Sequence, residues 1–130
     1  MRKIQKWAQK WAVPVIAIAT FAAVGMSQPP ATPKQGRELF EKRCTGCHAL
    51  DNIKVGPPLR HVFARHSGGD STFPYSDALK KADITWDAST LDRWISNPDA
   101  MVPDNDMSFR LNNADERAAI ISYLKELSGK

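Results

Sequence analysis

The chain has 130 residues, enough for one domain with a modest core, and a formal net charge of +4. That excess lies wholly in residues 1–27, where Arg2, Lys3, Lys6 and Lys10 stand with no acid. Residues 28–130 therefore carry 14 basic against 14 acidic side chains, which removes the electrostatic case for nucleic-acid binding.

At the N-terminus, "MRKIQKWAQK" precedes the uncharged, apolar "WAVPVIAIATFAAVGM", the charged-then-apolar order of a secretory signal. The apolar run from Ala12 to Met26 has 15 residues, short of the ~20 needed to cross a bilayer as a helix. Ala23–Val24–Gly25 and Gly25–Met26–Ser27 both offer small residues for cleavage. The alternative is an uncleaved anchor with Trp7 and Trp11 at the membrane interface. The length of the run and the brief "SQPPA" tether favour the cleaved signal, and under both readings the domain is exported. Residues 1–27 are thus a signal peptide or anchor, 28–32 a linker, and 33–130 one domain.

No repeat or low-complexity tract follows the linker. Thr32-Pro33-Lys34-Gln35 predicts a helix start, with a Thr cap, Pro at the first helical position and Gln completing a capping box. That helix runs to about Arg43, with Gly36, Phe40 and Cys44 on one face. A long loop, rich in Gly, Pro, Asp and Asn, follows from Ala49 to about Pro74. "YSDALKKA" reads as a short helix. In "TWDASTLDRWISN" Thr85 is the expected cap, Leu91, Trp94 and Ile95 form the apolar face, and Pro98 stops the helix near Asn97. The last helix opens at "NADE", with Asn113 as cap and Glu116 as its box partner. It carries Ile120, Tyr123, Leu124 and Leu127 on one stripe and ends at Gly129. No stretch alternates with strand period. The expected fold is all-α, about four helices joined by long loops. Loops of ~20 residues argue against a compact domain unless something other than protein fills its middle.

Both cysteines fall in "CTGCHAL", from Cys44 to Leu50, with His48 directly behind. Export favours a disulfide, but the Cys-x-x-Cys of thiol oxidoreductases opens a helix after a strand, and no strand is expected here. A structural zinc wants four ligands. Cys44, Cys47 and His48 leave it one short, and the spacing of His61 and His66 does not recommend either. The remaining reading of Cys-x-x-Cys-His is c-type haem attachment. Cys44 and Cys47 would form thioethers to the two vinyl groups, and His48 would ligate the iron. Met101, Met107, His61 and His66 are candidates for the sixth ligand. Met107 is favoured, because "NPDAMVPDNDMSF" is an extended, Pro-punctuated loop able to cover the opposite face, and because thioether–imidazole ligation suits an electron carrier. Met101 sits too close to the preceding helix, and both histidines are expected to face solvent.

With these motifs in place, residues 32–128 resemble the class I c-type cytochromes of the small mitochondrial and α-proteobacterial kind. "GPPLRHVFAR" is similar to the family's segment after the haem motif. The resemblance implies that the Pro57 carbonyl accepts a hydrogen bond from the proximal His48, and that Arg65 lies near a haem propionate. It also implies that Tyr75 and Trp86, in "FPYSDALKKADITW", bind propionate oxygens. In "WISNPDAMVPDNDMSF" it puts Met107 at the axial methionine and Phe109 beside the haem edge. Gly36 and Phe40 would cross Ile120 and Tyr123. Where the family often has Gly-Thr before the methionine, this chain has Asp104, Asn105 and Asp106, and Asn105 is a candidate propionate donor in the threonine's place. Trp94 stands where a tyrosine commonly bonds the methionine sulfur. The "DND" triplet lacks the Gly and Glu of a calcium loop.

The implied function is one-electron transfer in a periplasmic respiratory chain, with one covalent haem c and no catalysis, since both axial positions would be filled. Implied partners are transient redox proteins: a quinol–cytochrome c reductase, a terminal oxidase or a periplasmic dehydrogenase. The chain would be a monomer, touching the membrane only if its N-terminal segment is uncleaved. Many family members ring the haem edge with lysines. Here Asp99, Asp104 and Asp106 lie on the Met loop, with Lys42, Arg43 and Lys54 across the opening, which predicts a weakly dipolar docking face. Alternatives are the haem subunit of a stable dehydrogenase complex, a haem enzyme or gas sensor with an open sixth site, and a thiol oxidoreductase.

Overall fold

A computed structural model describes residues 32–129. The signal or anchor expected in residues 1–27 lies outside the described residues. Five helices are found among the described residues, in chain order: α1 (Pro33–Arg43), α2 (Asp77–Lys81), α3 (Ala88–Ser96), α4 (Pro98–Met101) and α5 (Ala114–Ser128). Among the described residues there is no strand, only an isolated antiparallel bridge between His66 and Thr85. No helix there is long and apolar enough to cross a membrane. The fold is all-α.

The scaffold is the crossing of α1 and α5, with α3 packed on α5 beside it. Thr32 and Gln35 close the expected capping box on α1, and the last turn ends at Cys44. Gly36 permits the crossing: a Cβ there would stand 2.0 Å from the Ala119 carbonyl oxygen and 2.7 Å from Tyr123 Cβ. Phe40 packs on the Tyr123 ring at 5.7 Å between centroids. The closest approach is therefore at Ala119 and Tyr123, one position away from the expected Ile120. Ile120 and Leu124 are nevertheless almost fully buried, in one core cluster with Phe40, Leu91, Trp94 and Ile95.

Three local readings need correction. The cap of α3 is Asp87 rather than Thr85: its carboxylate accepts from Thr90 N at 2.8 Å, and Thr90 Oγ1 accepts from Asp87 N. Thr85 is committed instead to the bridge with His66. The Met loop is not wholly extended, because Asn97 ends α3 and then caps the short α4, with Pro98 at its first turn. Glu116 does not close a capping box. Asn113 caps α5 alone, and Glu116 instead receives Arg43 through two bonds of 3.0 Å.

The long loops are pinned rather than free. Gly56 N bonds Cys47 O, Leu59 N bonds Ala49 O and Arg60 N bonds Leu50 O, closing residues 47–60 on themselves. Ala64 N bonds Trp86 O, Trp86 N bonds Arg65 O and Ser67 N bonds Ile84 O, lashing the 64–67 segment to 84–86. Arg117, nearly buried, bonds Asp92 Oδ1 at 2.7 Å and the carbonyls of Leu111 and Asn112 at 2.9 Å. It ties α5 to α3 and to the end of the Met loop. These restraints leave an apolar cavity in the centre.

Candidate functional site

The cavity has a volume of about 240 Å³. Its walls are apolar: Leu59, Val62, Leu91, Ile95, Ile120 and Leu124 among others. Cys44, Cys47 and His48 line it from the C-terminal end of α1, and Met107 and Phe109 line it from the Met loop. Arg65, Tyr75, Trp86 and Trp94 are also in the lining. Lining residues that are exposed as well mark the mouth: Arg43, Cys47, Val55, Asp106 and Ser108.

His48 is held from both sides. Its Nδ1 donates to the Pro57 carbonyl at 2.9 Å, which leaves Nε2 as the free lone pair. Burial lowers its pKa, although the Pro57 bond works the other way, so the imidazole is neutral and able to ligate. Gly56 is in contact with the same ring: a Cβ there would lie 2.3 Å from His48 Cε1. The fixed tautomer and the clamped ring are what a metal-ligating histidine requires.

Both cysteines are free, Cys44 half-buried and Cys47 exposed. Burial, with Cys47 adding to it, pushes the Cys44 thiol up to about 11. A redox nucleophile or a zinc thiolate needs the opposite shift. No group of three or more His, Cys, Asp or Glu among the described residues could hold a metal ion.

Among the sixth-ligand candidates, only Met107 lines the cavity with His48. Met101 lines a separate, more open cleft over α2 and α3, together with Lys81, Arg93 and Pro103. His61 and His66 are exposed. That second cleft contains no thiol or histidine.

The polar residues around the cavity divide. Arg65 Nη2 donates to the Pro58 carbonyl at 3.0 Å and Nη1 stands 3.6 Å from Asp70, while its buried Nε has no partner. Tyr75 and Trp86 are buried, 8% and 6% exposed, and burial raises the Tyr75 phenol pKa. Trp94 leans on Trp86 at 5.4 Å between ring centroids. Asn105 departs from the sequence reading. It does not line the cavity, and its amide nitrogen donates to Val102 O at 2.8 Å and to Asp99 Oδ1 at 3.2 Å. Its donors serve the loop here, rather than the cavity where the propionate role was expected.

Sequence reasoning missed Gly56 as a site residue, although it carries a readable signal, being the residue beside Pro57. Asp106, expected on the docking face, stands at the mouth.

These features can be tested against a planar, mostly apolar group with anionic ends. An apolar cavity lined by an available imidazole, a thioether and two free thiols fits it. So does a guanidinium with one buried, unpartnered N–H, since such a donor costs about 1–3 kcal/mol if left unmet. The cytochrome c family model matches residues 33–128. Cytochrome c 2.1 of Caenorhabditis elegans is 38% identical over 109 residues, covering 81% of this chain and 98% of that protein. Cytochrome c2 of Rhodomicrobium vannielii is 37% identical over 102 residues, 75% of this chain and 81% of its own length. Cytochrome c of Ginkgo biloba is 34% identical over 106 residues, covering 78% and 94%.

The fold and cavity are those of a c-type haem protein. The chain belongs to the cytochrome c family, as a class I c-type cytochrome. As such it carries a single covalently attached haem c and is an electron carrier, not an enzyme.

Proposed function

We propose that this cytochrome shuttles single electrons in a periplasmic respiratory chain, with Cys44 and Cys47 as the thioether attachments and His48 and Met107 as the axial ligands. When bound, haem c supplies a one-electron iron couple. The protein residues determine the setting of that couple. The Pro57 carbonyl fixes the His48 tautomer and makes the ring a stronger donor. The apolar walls exclude water, and a thioether in a dry pocket favours the reduced state. Arg65, Tyr75 and Trp86 are the residues proposed to hold the propionates. Arg65 has a donor to spare, and Tyr75 and Trp86 line the same cavity with polar tips.

The observation that supports this reading most is that His48 and Met107, from segments far apart in the chain, line one cavity. With His48 and Met107 both holding the iron there would be no open site for substrate. The export reading rests on the charged-then-apolar order of residues 1–27. Donor and acceptor would be a quinol–cytochrome c reductase and a terminal oxidase, or a periplasmic dehydrogenase. Contacts with them would be small and brief, under ~1,200 Å².

Expression with the export segment and a haem-attachment system tests the reading. Haem that survives acid–acetone extraction, with a ferric sulfur-to-iron charge-transfer band that Met107→Ala abolishes, supports both attachment and ligation. Covalent haem without that band would remove Met107 from its role and favour an open-site enzyme or sensor. Residual colour in a Cys44→Ser/Cys47→Ser variant after extraction would overturn the thioether assignment. Fractionation that leaves the mature chain in the cytoplasm would overturn the export reading.

A further inference from the structure

The segment that carries Met107 has almost no backbone support. Val102 N bonds Pro98 O at its start and Leu111 N bonds Ile95 O at its end, and among the described residues no backbone–backbone hydrogen bond involves residues 103–110. Asp104 turns the chain through a left-handed conformation, with φ at 62°. What holds this stretch in polar terms is a single side-chain network. Asn105 Oδ1 accepts the Met107 N–H at 2.7 Å, and Asn105 Nδ2 donates to Val102 O at 2.8 Å and Asp99 Oδ1 at 3.2 Å. The second Asp99 oxygen receives Arg110 Nη2 at 2.6 Å.

We infer that Asn105 is a positioning residue for the sixth ligand, latching Met107 through a network anchored on Asp99 and Arg110. This rests on the proposed ligation by Met107. Asn105 is the one side chain that bonds the Met107 backbone and also spans back to Asp99 and Val102, at the start of the loop. Asp99 in turn joins that start to Arg110 at its end. The closed network fixes the position of the Met107 Cα. Packing of Met107 and Phe109 against the core then orients the sulfur. Without the network, packing alone restrains a stretch that has no ladder, and the thioether competes less well against outside ligands.

The test uses holoprotein and readouts that a merely structural role would not separate. In Asn105→Ala the ferric sulfur charge-transfer band should melt at a lower denaturant concentration than the helical circular dichroism. In wild type the two should melt together. Imidazole should bind the ferric form about tenfold more tightly, the factor expected from loss of one hydrogen bond of this kind. Asn105→Ser keeps an acceptor two residues before Met107 and should recover part of the wild-type behaviour. Arg110→Ala leaves the Asn105–Met107 bond intact and removes an exposed partner, so it should fold and show a smaller shift in the same direction. Unchanged band and imidazole affinity in Asn105→Ala would overturn the inference, as would band and helices melting together at a lower midpoint. If Asn105→Ala does not fold, wild-type behaviour of Arg110→Ala overturns it. A wild-type protein with no band would instead mean that the ligand assignment itself has failed.

Discussion

His48 needs one ring nitrogen free and the ring held still, and two adjacent residues provide both. Pro57 presents a carbonyl to Nδ1, and Gly56 leaves room for the imidazole edge. Glycine is required beside it for space and not for an unusual backbone angle, because a methyl there would stand 2.3 Å from Cε1. Gly56→Ala must therefore tilt the ring or shift residues 54–57. Overpacking of this kind costs about 1–3 kcal/mol. The expected result is a holoprotein with a lower denaturation midpoint and a changed reduction potential, since the clamped ring is also the proposed ligand. Chemical denaturation and redox titration of the variant measure both. A wild-type potential with lowered stability would mean that the ring escapes the strain without losing its orientation.

At the scale of elements, the α1–α5 crossing depends on Gly36 in the same steric way. Helix propensity alone predicts that Gly36→Ala stabilises α1 by about 1 kcal/mol. The structure predicts the opposite sign, because the added Cβ would meet the Ala119 carbonyl oxygen at 2.0 Å and force the helices apart. A net loss of about 2 kcal/mol or more is expected from the separated packing. Urea denaturation decides between the two signs. Helices were legible in the sequence wherever caps and apolar stripes coincided, as at Thr32 with Gln35 and at Asn113 before Ile120 and Leu124. The errors came where two residues competed for one local task. Thr85 and Asp87 can both cap a helix, and Asp87 wins because the backbone at Thr85 is paired with His66. Glu116 has the spacing of a box partner, yet Arg43 from a helix 73 residues away takes its carboxylate. Asn97 and Pro98 read correctly as a stop and not as a new start, since four helical residues leave no periodicity to read.

Over the whole molecule, the loops looked too long for a compact domain until a group at the centre was admitted. That central group was legible because Cys-x-x-Cys-His, at Cys44, Cys47 and His48, is a short local pattern. The distribution of charge around the mouth was not, since it depends on how three separate loops close. Asp99, read as part of an acidic patch, is taken up by Arg110 and Asn105. Arg43, read as a base beside the opening, is bound to Glu116 by two hydrogen bonds. Lys54 turns back onto the Thr45 carbonyl. What the mouth presents is Val55, 76% exposed, with Ile53, 46% exposed, two residues before it in the chain, and Asp106 and the Glu116-bound Arg43 of opposite sign. Residues 28–130 as a whole carry no net charge. Electrostatic steering needs a patch of one sign, and exposed charges farther apart than ~8 Å are screened at physiological ionic strength. Apolar contact at Val55 and Ile53 should therefore govern docking at the mouth. The second-order rate of electron transfer to a redox partner is expected to fall by less than about threefold from low to physiological salt, well short of a steered pair. Val55→Asp should slow the reaction more than Asp106→Asn does, because it removes apolar contact at the most exposed hydrophobic of the mouth. Stopped-flow kinetics across a salt series measures both. A steep salt dependence would mean that a charged surface away from the mouth, rather than the mouth itself, guides the encounter.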